Sequence, residues 1–406
     1  MQINNKLQNL MILTNNNALA AGMSYMFTLY IANRFGPEIY GQYSYILAWA
    51  GLFGIFVQYS FNEAAPAYYS RGDRLQTLFN DIFTIRVILL IVLLAIMVVR
   101  MLFSKSPLTN IMVVGYTVPN LAISFMYEIY DKRKKYSFIY LVERSVYIIL
   151  VLMYGFVNEI TIVTLFLAFT IVSILSIVFQ YHQYSHYIKS YRYPKMSDLI
   201  LRMKDNLPLV SIELSNYAYG GISKIMIEDK LGAFSLGLFS TGMQLLLIMN
   251  IFQAQVNNLW RIPLFKSINE RNARGFISVV IEYIKYSTLP AIVLTILFYL
   301  YSPDLIHYLF SSEYEPLTNY VQLIGFFIII INVNSLISML WIGFDKKNTY
   351  MIISIIFAAI LGLTLWFSSS DMGLVGYIKQ ILIIRVCHSS VSLILLYHWN
   401  LKWIQK

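Results

Sequence analysis

Residues Asn33-Arg-Phe-Gly-Pro-Glu-Ile-Tyr-Gly-Gln-Tyr-Ser44 return in altered form 196 positions later, as Asp229-Lys-Leu-Gly-Ala-Phe-Ser-Leu-Gly-Leu-Phe-Ser240. At that offset Gly36 falls on Gly232, Gly41 on Gly237, Tyr43 on Phe239 and Ser44 on Ser240. Farther along, Asn62 falls on Asn258, and Pro66 lands one residue from Pro263. Each copy occupies the turn after the first apolar run of its half and the length of the second run. The chain therefore reads as an internal duplication.

The sequence around the repeat is almost entirely apolar. Of the 406 residues, 58% are hydrophobic and 12% charged, against about 25% charged in a soluble domain. Runs such as Ile85–Phe103 reach the roughly 20 residues that a helix needs to cross about 30 Å of hydrocarbon. Runs and polar breaks together place helices near 10–33, 40–64, 77–102, 108–130, 136–157, 160–184, 205–228, 236–260, 281–301, 318–343, 349–369 and 374–398. The expected fold is an all-α membrane protein of twelve transmembrane helices in two six-helix lobes, 1–184 and 205–406, joined by a cytoplasmic linker at 185–204. Six spans per lobe is an even number, so the copies enter the membrane in the same direction, related by a pseudo-twofold axis along its normal. Two such lobes enclosing a cleft suit a transporter.

Charge placement sets the orientation. The net charge of +10 comes from short clusters between apolar runs, which points to a membrane and not to nucleic acid. Twenty of the 30 Lys and Arg fall in breaks on one side, among them Lys6, Arg71, Arg74, Lys132–Lys135, Lys189–Lys204, Arg261–Arg274, Lys346, Lys347, Lys402 and Lys406. The other side holds Arg34, Arg100, Lys105 and Lys230. Cytoplasmic loops carry the excess, so both termini are expected in the cytoplasm. The polar Met1–Leu10 end reads as retained, and the single Cys387 excludes an internal disulfide.

Arg34-Phe-Gly-Pro-Glu-Ile-Tyr-Gly-Gln-Tyr-Ser44 resembles the glycine-proline turn of O-antigen flippases, the Wzx-type polysaccharide transporters of the multidrug/oligosaccharidyl-lipid/polysaccharide exporter superfamily. Similar matches occur in order along the chain: Asn62-Glu-Ala-Ala-Pro66, Val118-Pro-Asn120 with Phe125–Lys132, Leu207-Pro208, Lys230-Leu-Gly232 and Asp371-Met-Gly-Leu-Val-Gly376. Glu128-Ile-Tyr-Asp131 departs from the pattern where many members carry a Gln-Gly pair. The resemblance implies a carrier that moves a polyprenyl-pyrophosphate-linked oligosaccharide from the cytoplasmic to the periplasmic leaflet of a bacterial inner membrane by alternating access. It implies no cofactor; a coupling proton or sodium ion and polysaccharide-assembly proteins are further partners to consider.

Charges inside spans cost about 2.5–3.5 kcal/mol each on insertion scales and are functional candidates by default. Lys224, Arg385, Arg86 and Arg144 are the candidates for holding the anionic headgroup, with Asn17 from the polar Asn15–Asn17 run, and Glu213 is the candidate for a coupling ion. Glu143 and Lys379 are also intramembrane charges. Glu213, Tyr217, Gly220 and Lys224 share one helical stripe by spacing. The competing reading has Glu213 and Lys224 snorkel to opposite interfaces, and has Arg144 pair locally with Glu143. His182 and His186 lack the further ligands of a metal set.

No GxSxG, Walker loop or HExxH is present, which argues against an enzyme. A multidrug exporter of the same superfamily should place acids in its cavity, whereas bases outnumber acids here. An oligosaccharide polymerase or ligase needs a longer outward loop than Ser302–Leu317. The map predicts that reporter fusions at Lys195 and at Glu313 report opposite sides of the membrane. Reports from the same side would overturn the twelve-span assignment.

Overall fold

The computed structural model describes residues 2–103, 107–246 and 259–400. Lys105, Asn258, Lys402 and Lys406 lie outside these residues, as does part of the span expected at 236–260. Helices α1 to α15 are Gln2–Gln58, Phe61–Ser70, Leu75–Phe103, Pro107–Thr117, Ser124–Ile129, Arg133–Gly155, Ile162–Gln183, Ser185–Lys189, Met196–Tyr217, Ser223–Leu245, Ala273–Tyr283, Leu289–Leu309, Val321–Gly343, Lys347–Phe367 and Gly373–Asn400. No strand occurs among the described residues. Hydrocarbon offers no partner to a free amide, so a chain this apolar satisfies its backbone within helices.

Nine helical stretches among the described residues are long and apolar enough to cross a membrane. The first, Asn16–Ser70, has 55 residues and bends at Gly36 (φ 67°, ψ 170°), so it supplies two of the twelve expected spans. The run through α9 and α10, which is not among the nine, bends likewise at Gly232 (φ 83°, ψ 171°). Exposed Ile91, Val98 and Leu102 on α3 present to lipid the surface that a soluble protein would bury.

Gly36 and Gly232 share one backbone geometry because left-handed φ is nearly free for glycine and costly for other residues. The second pair of repeat glycines serves contact. A Cβ on Gly41 would run into the Ala233 carbonyl, and one on Gly237 into the Pro37 carbonyl. Missing side chains let two backbones touch, as small residues do at helix crossings in membranes. This reciprocity is what a local twofold relation between segments 36–41 and 232–237 produces.

The chain divides into two compact units, Met1–Phe27 with Ile46–Leu214, and Thr28–Tyr45 with Ser215–Lys406. Both repeat turns belong to the second. In the first, Tyr59 and Ser60 take left-handed φ of 52° and 49° between α1 and α2, and α9 packs against this break. Asn206 donates to the Tyr59 carbonyl, the Tyr59 hydroxyl donates to the Met203 carbonyl at 3.3 Å, and the Ser60 hydroxyl donates to Glu213 at 2.6 Å. Arg202 clasps Asp73 at 2.6 Å and Asp81 at 3.1 Å.

A π turn at Ala218–Ile222 corrects one expectation. One extra residue in the turn rotates the downstream helix by about 100°, so Glu213 and Lys224 do not share a continuous stripe. Glu213 belongs to the first unit and Lys224 to the second.

Ala normally stabilises a helix over Gly by about 1 kcal/mol. Gly362→Ala, where nothing stands within 4 Å of the new methyl group, should leave the melting temperature of the purified protein unchanged or raise it. Gly237→Ala should lower it by several degrees. Equal behaviour of the two variants would show that the backbone crossing is not a tight one.

Candidate functional site

In the first unit Arg86, Glu143 and Arg144 lie around the break after α4. Pro119 interrupts the helix with a short 3₁₀ turn, Val118–Leu121, exposing backbone groups that need partners. Fully buried Arg86 donates from Nη1 to the Ala122 carbonyl at 2.9 Å and from Nη2 to Asn62 Oδ1 at 3.0 Å, with its guanidinium 5.8 Å from the centre of the Phe125 ring. Gln180 Oε1 accepts the Ile123 N–H at 3.3 Å. Arg86 thus ties Asn62 to Phe125 and the turn after Pro119, which lie far along the chain from it.

A cavity of about 50 Å³ lies beside this turn, lined by Tyr136, Tyr140, Glu143, Arg144, Ser173 and Gln180 among others. Glu143 accepts a hydrogen bond from Ser173 at 3.2 Å. Arg144 stacks on Tyr140 and Phe169 at 5.0 and 5.3 Å. A local Glu143–Arg144 ion pair is not among those the described residues form. Asn16 donates to Ser137 at 3.2 Å, whereas half-buried Asn17 is not brought to any other candidate. Glu213 is held by the Ser60 hydroxyl.

The second unit holds Lys224 and Arg385, and its arrangement is different. Arg385 lies in the middle of α15, its guanidinium 4.6 Å from the centre of the Tyr219 ring. Its buried Nε has no hydrogen-bond partner. Three residues on, fully buried His388 sits among the rings of Tyr219, Tyr350 and Phe357 at 5.1–6.0 Å. Its Nε2 lies 3.4 Å from the Ser354 hydroxyl and its Nδ1 is unpartnered. Ser389 bonds Asn334 at 2.8 Å. Lys224 is half-buried two residues beyond the π turn, and neither it nor Arg385 has an ion pair among the described residues. Exposed Lys379 does not join them.

A cation over an aromatic face recovers about 0.5–2 kcal/mol, less than the insertion cost of an arginine. Arg385 and Lys224 are therefore intramembrane cations whose cost an anion would offset. Arg86, by contrast, is bonded to two fixed oxygens.

The family model described as polysaccharide biosynthesis protein matches residues 6–269. The chain belongs to the polysaccharide biosynthesis protein family. Its fold is shared with solved transporters. A multidrug resistance MATE family transporter of the MOP superfamily in its inward-facing conformation is 14% identical, with 97% of this chain and 94% of that chain covered at a TM-score of 0.62. The outward-facing form is also 14% identical, covering 98% and 95% at 0.60. A MOP superfamily transporter from Pyrococcus furiosus, described as having a binding pocket of reverse polarity, is 13% identical, covering 98% and 95% at 0.60. No curated protein matches the chain. This member of the polysaccharide biosynthesis family is thus a multi-pass membrane protein that shares the fold of solved transporters.

His388 and Tyr219 were missed in the sequence. A signal existed for His388, since Arg385, His388, Ser389 and Ser392 recur at helical spacing on an otherwise apolar span. The anchoring role of Arg86 had no such signal. A buried acceptor that loses its donor costs about 1–3 kcal/mol, so Arg86→Met should lower the melting temperature of the purified protein markedly, and Arg385→Met should not. Equal melting of Arg86→Met and wild type would show that Arg86 does not anchor the break.

Proposed function

We propose that this chain is a flippase that translocates a polyprenyl-pyrophosphate-linked oligosaccharide, an O-antigen repeat unit, from the cytoplasmic to the periplasmic leaflet of a bacterial inner membrane by alternating access. The observation that carries the reading is the presence in one unit of two intramembrane cations, Lys224 and Arg385, without an anionic partner among the described residues, in a member of a polysaccharide biosynthesis family. A pyrophosphate must leave water on its way through, and an unpaired anion in a low-dielectric medium is prohibitively costly. Arg385 can meet two phosphate oxygens at once, and Lys224 serves as a point charge. Arg144, beside the break that Arg86 holds, and Asn17 are proposed to supply further polar contacts on the first unit. Glu213, which accepts a hydrogen bond from Ser60, is the group proposed to carry a coupling proton or sodium ion. The lobes 1–184 and 205–406 move about the 185–204 linker, with both termini cytoplasmic.

The solved multidrug transporters of this fold favour a second reading, an exporter of small cations. Such a site needs free carboxylates in the membrane. Here Glu143 and Glu213 both lie in the first unit, whereas Lys224 and Arg385 of the second form no ion pair among the described residues.

Removing an intramembrane charge lowers the cost of insertion, so the Lys224→Ala, Arg385→Ala double variant should reach the membrane in normal amount. Its surface glycan output should fall by about tenfold or more, and Arg385→Lys should recover only part of it. Normal output per membrane protein from the double variant would show that the headgroup is held elsewhere.

A further inference from the structure

The repeat turn does more than bend a helix. Asn33 bridges across to the segment after α12, donating from Nδ2 to the Leu309 carbonyl at 2.7 Å and accepting the Ser311 N–H at 2.9 Å. Fully buried Tyr314 donates to the Ala32 carbonyl at 2.9 Å. These bonds fasten the 3₁₀ segment Ser312–Asn319 to the 32–38 turn, and the Glu313 carboxylate packs directly over the Cα of Gly36, where any Cβ would collide with it. Between the two segments opens a pocket of about 640 Å³ whose walls include Phe35, Glu38, Phe234, Glu313, Glu315 and Asn319. All of them belong to the second unit.

The chemistry of these walls selects a class of ligand. The volume is that of a site for a ligand of several hundred daltons. None of the three carboxylates forms an ion pair among the described residues. No three acidic, His or Cys side chains among the described residues are placed to share a metal ion, which argues against a cation held by these acids together. Carboxylates and an amide at separate points of a concave wall are acceptors and donors suited to several hydroxyls of one molecule. Two phenylalanine rings offer flat apolar faces for the C–H side of a sugar ring. The excess of negative charge disfavours uronic or phosphorylated sugars.

We infer that this pocket is a glycan subsite, which takes two or three rings of a neutral or amino-sugar oligosaccharide at the membrane face opposite the positively charged loops. This rests on the flippase reading for its biological meaning, because the glycan would arrive there as it leaves. The binding itself stands on the pocket alone.

The test uses the full chain in lipid nanodiscs, titrated with free maltotriose, the glucosamine trimer, trigalacturonate and trilysine, and followed by saturation-transfer NMR. Maltotriose or the glucosamine trimer should bind with a Kd below about 10 mM, and trigalacturonate about tenfold more weakly or worse. Phe234→Ala and Glu313→Gln, both at exposed positions, should each weaken binding by about tenfold. The inference is overturned if neither neutral nor amino sugar binds, if both variants bind as wild type does, or if trilysine alone binds, which would mark a peptide surface. Loss of surface glycan on deletion of the protein, with no sugar bound in vitro, would remove the pocket and leave the flippase. Sugar binding with glycan export intact after deletion would do the reverse.

Discussion

An amide group without a partner in hydrocarbon costs several kcal/mol, and the breaks in this chain's helices show how that cost is met. Where α1 gives way to α2, Asn206 supplies a donor to the Tyr59 carbonyl. Where the 3₁₀ turn succeeds α4, Arg86 caps the Ala122 carbonyl, Tyr181 caps the Leu121 carbonyl at 3.2 Å, and Gln180 takes the Ile123 N–H. Much of the polarity buried in the first unit is thus in the service of its own backbone. A polar residue in a membrane span is a candidate for function by default, but the default weakens when a broken helix stands within reach.

The same accounting separates the second unit from the first. Its two π turns, Ala218–Ile222 and Ile284–Thr288, keep their backbone bonds within the helix and release fewer groups. Its intramembrane Arg385, unlike Arg86, is given no backbone carbonyl to cap among the described residues. Arg385, His388 and Tyr219 each retain a buried polar atom with no hydrogen-bond partner. Such a cluster is unfavourable in isolation, and a bound anion would relieve it. The stripe at Arg385 therefore carries the functional proposal while Arg86, more deeply buried, carries structure.

How far the sequence could be read depends on which interactions leave a mark on residue type. Gly36 and Gly232 were legible because positive φ excludes most other residues, and Gly41 and Gly237 because a close backbone approach excludes all side chains. The spans were legible because hydrocarbon filters composition. A main-chain acceptor such as the Ala122 carbonyl is the same atom in every residue, so nothing announced the partner of Arg86. The π turn was equally silent, since Ala218-Tyr-Gly-Gly-Ile222 fits an α-helix well enough, and one added residue was sufficient to misalign the stripe from Glu213 to Lys224.

Duplication explains both the symmetry of the glycine turn and the asymmetry of the pocket built on it. At the 196-residue offset Glu38 corresponds to Phe234, and both line the same pocket. The glycines around them are under a geometric constraint in each copy, because backbone contact tolerates no substitution at Gly41 or Gly237. The positions between the glycines carry no such constraint and are free to diverge. One copy brings a carboxylate to the pocket and the other an aromatic ring, so two equivalent positions provide a polar and an apolar contact to one ligand. A strictly symmetric turn would set two carboxylates or two rings there. A duplicated scaffold can in this way hold its crossing fixed while the residues between its glycines acquire the mixed chemistry that recognition of a sugar requires.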